Sequence, residues 1–155
     1  MGYAERVLQP GETIAYRARL HWVIYFGGMV LVVVAIALAL AAVVLKTEEL
    51  RIGLLLASLI ALFLGLFQVI RAWIVAVNTE IIVTSRRVIY KTGFISRNTV
   101  EMNLDKVESV LVQQGLLGRM LDFGTVIIRG VGAGLEPVAN IGAPLELHRH
   151  VSAPA

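Results

Sequence analysis

Two long apolar stretches dominate the front half of the chain, and an alternating pattern takes over behind them. Trp22 to Leu45 is 24 residues without Asp, Glu, Lys or Arg, and Ile52 to Ile70 is 19 more. As helices these would span roughly 36 Å and 28 Å at about 1.5 Å per residue, against a bilayer hydrocarbon core of about 30 Å. Both are apolar on every side, and a chain this short has too little material to wrap two such helices in water. The pattern therefore predicts a transmembrane hairpin over 22–77, with helices at 22–45 and 52–75. The connecting residues Lys46–Arg51 are too few for anything but antiparallel neighbours.

Small residues recur every fourth position on the second stretch, at Gly53, Ala57, Ala61 and Gly65. That spacing predicts one helix face on which backbones approach closely, a packing seam against Gly27, Gly28, Ala35 and Ala39 of the first helix or against another chain. Ala37-Leu-Ala39 imitates a cleavage site, but 21 residues precede the apolar run and the run exceeds a signal-peptide core, so cleavage is not expected. Lys46 and Arg51 in the link are fewer than the Lys and Arg flanking the outer ends (Arg6, Arg17, Arg19, then Arg71, Arg86, Arg87, Lys91). Both termini should therefore face the cytoplasm. Trp22, Tyr25 and Trp73 fall where interfacial aromatic anchors belong, and Arg71 suits an interfacial charge whose head reaches water.

Behind the helices the period becomes two. Glu80–Thr84 and Arg87–Lys91 are β-branched runs joined by Ser85-Arg86, which predicts a hairpin. Further strands are expected within 95–102, over 107–113 with Val107, Ser109, Leu111 and Gln113 on one face, over 124–129, and more weakly over 135–141, where Pro137 suggests an edge. Residues 115–123 break the alternation and read as a loop or short helical turn, with Arg119 and Asp122 available to pair and pin it. Residues from Gly142 onward carry helical spacing at Leu145, Leu147 and Val151 behind Pro144, and Ser152–Ala155 reads as a frayed end. Upstream, Pro10-Gly11 introduces an alternating run over 12–18, expected to pack on the C-terminal sheet, so that the helices form an insertion between the first and second strands. About seven antiparallel strands and one terminal helix close most economically as a small barrel. The organisation is thus a cytoplasmic leader over 1–21, the hairpin over 22–77 and a β domain over 78–155.

Several of these segments resemble the bacterial PH-domain family. Thr84-Ser-Arg-Arg-Val-Ile-Tyr-Lys-Thr-Gly93 is similar to that family's opening hairpin, and Val107-Glu-Ser-Val110 followed by Leu116-Leu-Gly-Arg-Met-Leu-Asp-Phe-Gly-Thr-Val126 to its central signature. Leu8-Gln-Pro-Gly-Glu12 and His21-Trp22 resemble the leader that precedes the helices in such proteins. The resemblance implies an α+β membrane protein: a PH-like split β-barrel with a C-terminal capping helix, held on a membrane anchor in the bacterial inner membrane. One departure is that Pro144 and Pro154 bracket a short capping helix, which bears on full closure of the barrel.

Composition agrees with the pattern. The chain is 57% apolar and 16% charged, against about 45–50% and 25% in ordinary soluble domains. Abundant Leu, Ile and Val exclude disorder. The absence of cysteine excludes a disulfide scaffold and a thiolate metal site. A net charge of +3 is too weak for a dedicated nucleic-acid binder but suits an anionic lipid surface.

Candidate chemistry is sparse. His148 and His150 lie two apart on different helix faces and, with His21, offer no third metal ligand. None of the serines sits in a nucleophile elbow. Gly130-Val-Gly-Ala-Gly134 opens no helix and reads as a β-turn, not a phosphate loop. No enzyme, cofactor, metal or small-molecule substrate is expected. The best binding candidates are Arg86, Arg87, Lys91 and Arg97 around the first hairpin, where the resemblance implies a lipid-headgroup site and guanidinium forks suit phosphate. Strict alternation puts Arg87 and Lys91 on one face. The functional expectation is a non-enzymatic, membrane-anchored interaction or scaffold module at the cytoplasmic face, with a membrane-protein partner or self-association. An anionic-lipid module and a pore or transporter subunit are the alternatives, the last weakened by Gln68 and Ser58 being the main polar side chains within the apolar stretches.

Overall fold

A computed structural model describes residues 8–93, 98–134 and 137–152. They fall into two compact units: one takes residues up to His21 and from Val75 onward, the other is Trp22–Ile74.

The second unit is a helical hairpin. A 3-10 turn, Trp22–Tyr25, leads into α1, Phe26–Val44, and α2 runs Glu48–Asn78. The 31 residues of α2 exceed the expected 52–75 at both ends. Its start moves forward because Thr47 occupies the position before the first turn and Glu48 and Glu49 lie in that turn, where the helix dipole favours carboxylates. The link shrinks from six residues to Leu45–Thr47. Both helices are long and apolar enough to cross a membrane. Their surfaces are apolar and open, with Val43 78% and Phe63 70% exposed, whereas the buried positions are Gly28, Ala35 and Ala42 on α1 and Gly65 on α2.

The first unit is two antiparallel sheets. Strands β1 (Ile14–Ala18), β2 (Glu80–Thr84), β3 (Arg87–Thr92) and β4 (Asn98–Asn103) form one sheet in sequence order. In the other, β6 (Phe123–Gly130) lies between β5 (Val107–Gln113) on one side and β8 (Val138–Gly142) and the two-residue β7 (Ala133–Gly134) on the other. Seven strands thus have five or more residues. The upstream run pairs with β2, so the helices interrupt the sheet between its first two strands. A turn with Pro10 at its second position and Gly11 at φ 81, closed by the Glu12 N–H to Gln9 O at 2.9 Å, delivers β1.

The core lies between the sheets. Tyr16, Ala18, Ile81, Val83, Val88, Tyr90 and Met102 of the first sheet face Val126, Ile128, Val138 and Ile141 of the second. In β5 the inward residues are Val107, Val110 and Val112, with Leu111 turned out. A bulge between Val107 and Ser109 lets Val107 keep its place despite the odd spacing, so the face expected from strict alternation is not the one that packs. Helix α3 (Leu116–Leu121) fills the break in alternation, and α4 (Pro144–Ser152) starts with proline at its first position. Pro144, Leu147 and Val151 of α4 enter the core, whereas Leu145 points outward.

The expected barrel is not closed. On one margin a single bridge, Leu20 to Ile141, joins the sheets, supported by His21 N–H to Asn140 O at 2.7 Å and Gly142 N–H to Arg19 O at 3.0 Å. On the other, β4 passes into β5 through the 3-10 turn Leu104–Lys106, and no ladder joins these two strands among the described residues.

Candidate functional site

Three segments meet at one end of the first sheet: the Gln9–Glu12 turn, the Ser85-Arg86 turn of the β2–β3 hairpin and the Asn103–Asp105 corner. They surround a cleft of about 610 Å³ lined by Gln9, Ser85, Arg86, Arg87, Asn103, Leu104 and Asp105. Backbone bonds fix the rims: Ser85 N–H to Thr13 O at 3.0 Å and Leu104 N–H to Arg86 O at 2.9 Å.

Beneath the cleft lies a buried ionic network. Arg87 grips Glu12 through both carboxylate oxygens, Nε to Oε1 at 3.0 Å and Nη2 to Oε2 at 2.9 Å, and donates through Nη1 to Glu101 Oε2 at 2.6 Å. The Thr84 hydroxyl donates to Glu12 Oε1 at 2.7 Å and accepts the Arg87 N–H at 3.0 Å; the Gln9 N–H reaches Glu12 Oε2 at 2.8 Å. The Glu12 side chain is fully buried. Burial alone would raise its pKa. The Arg87 hydrogen bonds, those from Gln9 and Thr84, and the Arg87 charge outweigh it and hold the carboxyl at about 2, below the ordinary 4.5. The same hydrogen bonds from Arg87 to Glu12 push the guanidinium further up.

The four basic candidates are therefore not equivalent. Arg86 is exposed at the cleft, and its guanidinium has no hydrogen-bond or ion-pair partner among the described residues. Arg87 leaves the expected headgroup cluster: its fork is already engaged by two carboxylates, so a phosphate would have to displace them. Lys91 shares the outer face of β3 with Arg87, as alternation requires, but is half-buried opposite Glu80 in the ladder. Arg97 lies outside the described residues. Glu12 and Glu101 carry no local signal, being 75 and 14 residues from Arg87. The Glu101 partnership follows from register, since Glu101 opposes Ile89 on the face that Arg87 shares.

The small-residue seam is likewise redistributed. A Cβ on Gly65 would come within 2.9 Å of Val32 Cγ2 and 3.1 Å of Gly28 O, and one on Gly28 within 2.7 Å of Val69 Cγ2. A Cβ on Gly53 would meet nothing within 4 Å, and Ala57 is exposed. Residues with lower exposure on α2 run Leu54, Ser58, Ala61, Gly65 and Val69. A strict four-residue repeat advances about 40° per step around a helix of 3.6 residues per turn, so it leaves the facing stripe within three steps. Steps of three and four stay on it.

The signature loop is pinned differently from the expected Arg119–Asp122 pair. No ion pair joins those two among the described residues. The Gln114 side chain donates to Gly118 O at 3.3 Å and Phe123 O at 3.2 Å, and Asp122, in the left-handed region at φ 56, caps α3 by its N–H to Gly118 O. His150 stacks on Tyr16 with ring centroids 4.7 Å apart. No group of three or more His, Asp or Glu among the described residues gathers as metal ligands.

The sequence model of the bacterial PH domain matches residues 18–155, and the chain belongs to that family. No curated protein and no solved structure matches it.

Proposed function

We propose that this bacterial PH domain protein is a non-enzymatic interaction module, anchored in the inner membrane by α1 and α2 with both termini cytoplasmic, whose β unit accepts a partner strand at its open margin. The observation that carries this reading is the gap between β4 and β5. Each is the last strand of its sheet, and each leaves an apolar side chain open, Val100 on the inner face of β4 opposite Tyr90 and Leu111 on the outer face of β5, both 45% exposed. An edge of this kind offers unpaired backbone donors and acceptors to an added strand, with side-chain pockets supplying selectivity. A permanent anchor removes the need for lipid recruitment, which leaves protein contact as the use for the domain. A pore is disfavoured by the apolar outer surfaces and by Ser58, whose hydroxyl is returned to Leu55 O at 3.0 Å.

The test is native mass spectrometry of the chain extracted with its own lipids into nanodiscs. The wild type should retain a protein subunit, and Val100→Lys with Leu111→Lys should lose it at unchanged melting temperature. A wild-type chain that emerges as a bare monomer would remove the proposal.

A second reading, anionic-headgroup binding, is favoured by the exposed and unpartnered Arg86 at the cleft. Arg86→Gln with Lys91→Gln and Arg97→Gln should abolish a preference for phosphatidylglycerol or cardiolipin. Arg87 must be left intact, because its loss acts through the buried network. Unchanged lipid selectivity would exclude this second site.

A further inference from the structure

Helix α3 is the most apolar exposed feature of the β unit. Leu116 is 83%, Leu117 68% and Met120 81% exposed, whereas its one buried residue, Gly118, is held against the Phe123 carbonyl. With Leu121, exposed to a lesser degree, four large apolar side chains on six residues are not needed by the core. The geometry also fixes where this helix stands. Phe123, two residues beyond α3, stacks its ring on His21 with centroids 5.3 Å apart. His21 is the last residue of the β unit before Trp22 begins the first apolar helix. Neither end of this arrangement is loose: His21 N–H bonds Asn140 O, Gly142 N–H bonds Arg19 O, and Ala143 N–H bonds Asp122 O, all at 3.0 Å or less.

We infer that α3 is an interfacial lipid-docking element, with Leu116, Leu117 and Met120 seated in the headgroup–acyl boundary beside the point where the chain passes into the bilayer. The inference rests on the anchored reading above. Charge supports lipid as the occupant. Arg119 on α3 and Arg19 near His21 are exposed with side chains unpartnered among the described residues, which suits an anionic leaflet. Asp122 is the one acidic residue on the α3 turn and sits at its far end. Apolar residues with an adjacent cation, lying in the interface plane, are the pattern of monotopic membrane contact. This site differs from the Arg86 cleft: one reads phosphate by charge, the other inserts apolar side chains. Docking α3 would add a contact between domain and membrane besides the covalent tether, restricting how the open β4–β5 margin is presented.

Because the chain has no cysteine, single labels test this directly. An environment-sensitive fluorophore is placed on Leu117→Cys, on Val131→Cys at the opposite end of β6, and on Leu40→Cys within α1. The full chain is reconstituted in nanodiscs of phosphatidylcholine and phosphatidylglycerol carrying spin-labelled lipid quenchers. The label at 117 should be quenched by shallow lipid quenchers about threefold more than the label at 131, as interfacial seating requires. Arg119→Glu should weaken that quenching in anionic discs and leave it unchanged in pure phosphatidylcholine. Equal quenching at 117 and 131 overturns the inference. So does a blue-shifted label at 117 that lipid quenchers do not reach, since that assigns α3 to a protein surface. The label at 40 reports separately on the anchor: its failure to be quenched by deep quenchers would overturn the membrane reading itself.

Discussion

Inside the helix pair the buried positions are Gly28, Ala35, Ala42 and Gly65, and the large residues face outward. The β unit does the reverse: Ile81, Ile82, Val83, Val88, Ile89 and Leu147 are buried, and so is the carboxylate of Glu12. On the anchored reading proposed above, the contrast is what lipid around one unit and water around the other produce. In water, apolar area leaves the surface at roughly 25 cal/mol per Å², so isoleucine goes in. In lipid that driving force vanishes between helices, and close backbone approach over small residues decides which faces meet. A buried ion pair separates the two further. The β unit carries one because its fork geometry and added hydrogen bonds offset desolvation, whereas the seam residues named above carry no charge.

The sharpest way to break the comparison is to take one partner from the network. Arg87→Met leaves the fully buried Glu12 carboxylate without its cation, and losing one member of a buried pair costs about 3–5 kcal/mol. Denaturant unfolding followed by β-sheet circular dichroism should register that loss, with the helical signal in detergent retained. Adding Glu12→Gln should recover much of it, because the amide oxygen can accept the Gln9 N–H while its NH2 donates to the Thr84 hydroxyl, whose own proton goes to Arg87 O. A loss below about 1 kcal/mol would place the network among ordinary surface pairs.

Acid should separate the units next. The Glu12 carboxyl titrates at about 2 when folded and 4.5 when unfolded, so the unfolded chain binds its proton first as pH falls. The stabilisation is therefore complete above pH 4.5 and is lost progressively toward pH 2, amounting to about 3 kcal/mol. The β unit should lose stability across that window in a pH series of unfolding curves, and Glu12→Gln should flatten the dependence. The helix seam, lined by Gly and Ala, should show no such dependence.

In the helix pair the corresponding lesion is steric. Gly65→Ala places a methyl within about 3 Å of Val32 and Gly28 backbone atoms, and overpacking of this kind costs about 1–3 kcal/mol. Helix–helix unfolding in mixed micelles should report it, with the β unit unchanged. An unaltered helix pair would mean that the contact between α1 and α2 tolerates separation.

How far these features were legible depends on how locally they are written. Element type came through where one residue follows another: the two apolar runs, the Ser85-Arg86 hairpin, Val107–Gln113 as a strand, and the turn that Pro10-Gly11 sets. What escaped was set at a distance or by a local irregularity. Glu12 meets Arg87 only after the helices have been passed over, and the face of β5 depended on a bulge that shifts parity by one. The headgroup cluster weakened for the same reason, since a charge run along a strand does not disclose which of its members the sheet will bury. The barrel margin also resisted, because Val100 and Leu111 read as ordinary strand residues until their neighbours are known.

The smallest expected effect is the most selective test of the helix seam. Gly53, Ala57, Ala61 and Gly65 form a clean four-residue repeat, but a Cβ on Gly53 has nothing within 4 Å. If the repeat were the seam, Gly53→Ala would crowd the partner as Gly65→Ala does. With the stripe running instead through Leu54, Ser58, Ala61 and Gly65, the new methyl at 53 faces outward. It should change stability by no more than about 1 kcal/mol, in the stabilising direction given the helix propensity of alanine over glycine. The same Gly→Ala change twelve residues apart on one helix thus carries opposite signs, and measuring both in the same micelles identifies which residues meet α1. Destabilisation at both positions would restore the four-residue repeat and point to a second surface, beyond α1, that packs against Gly53.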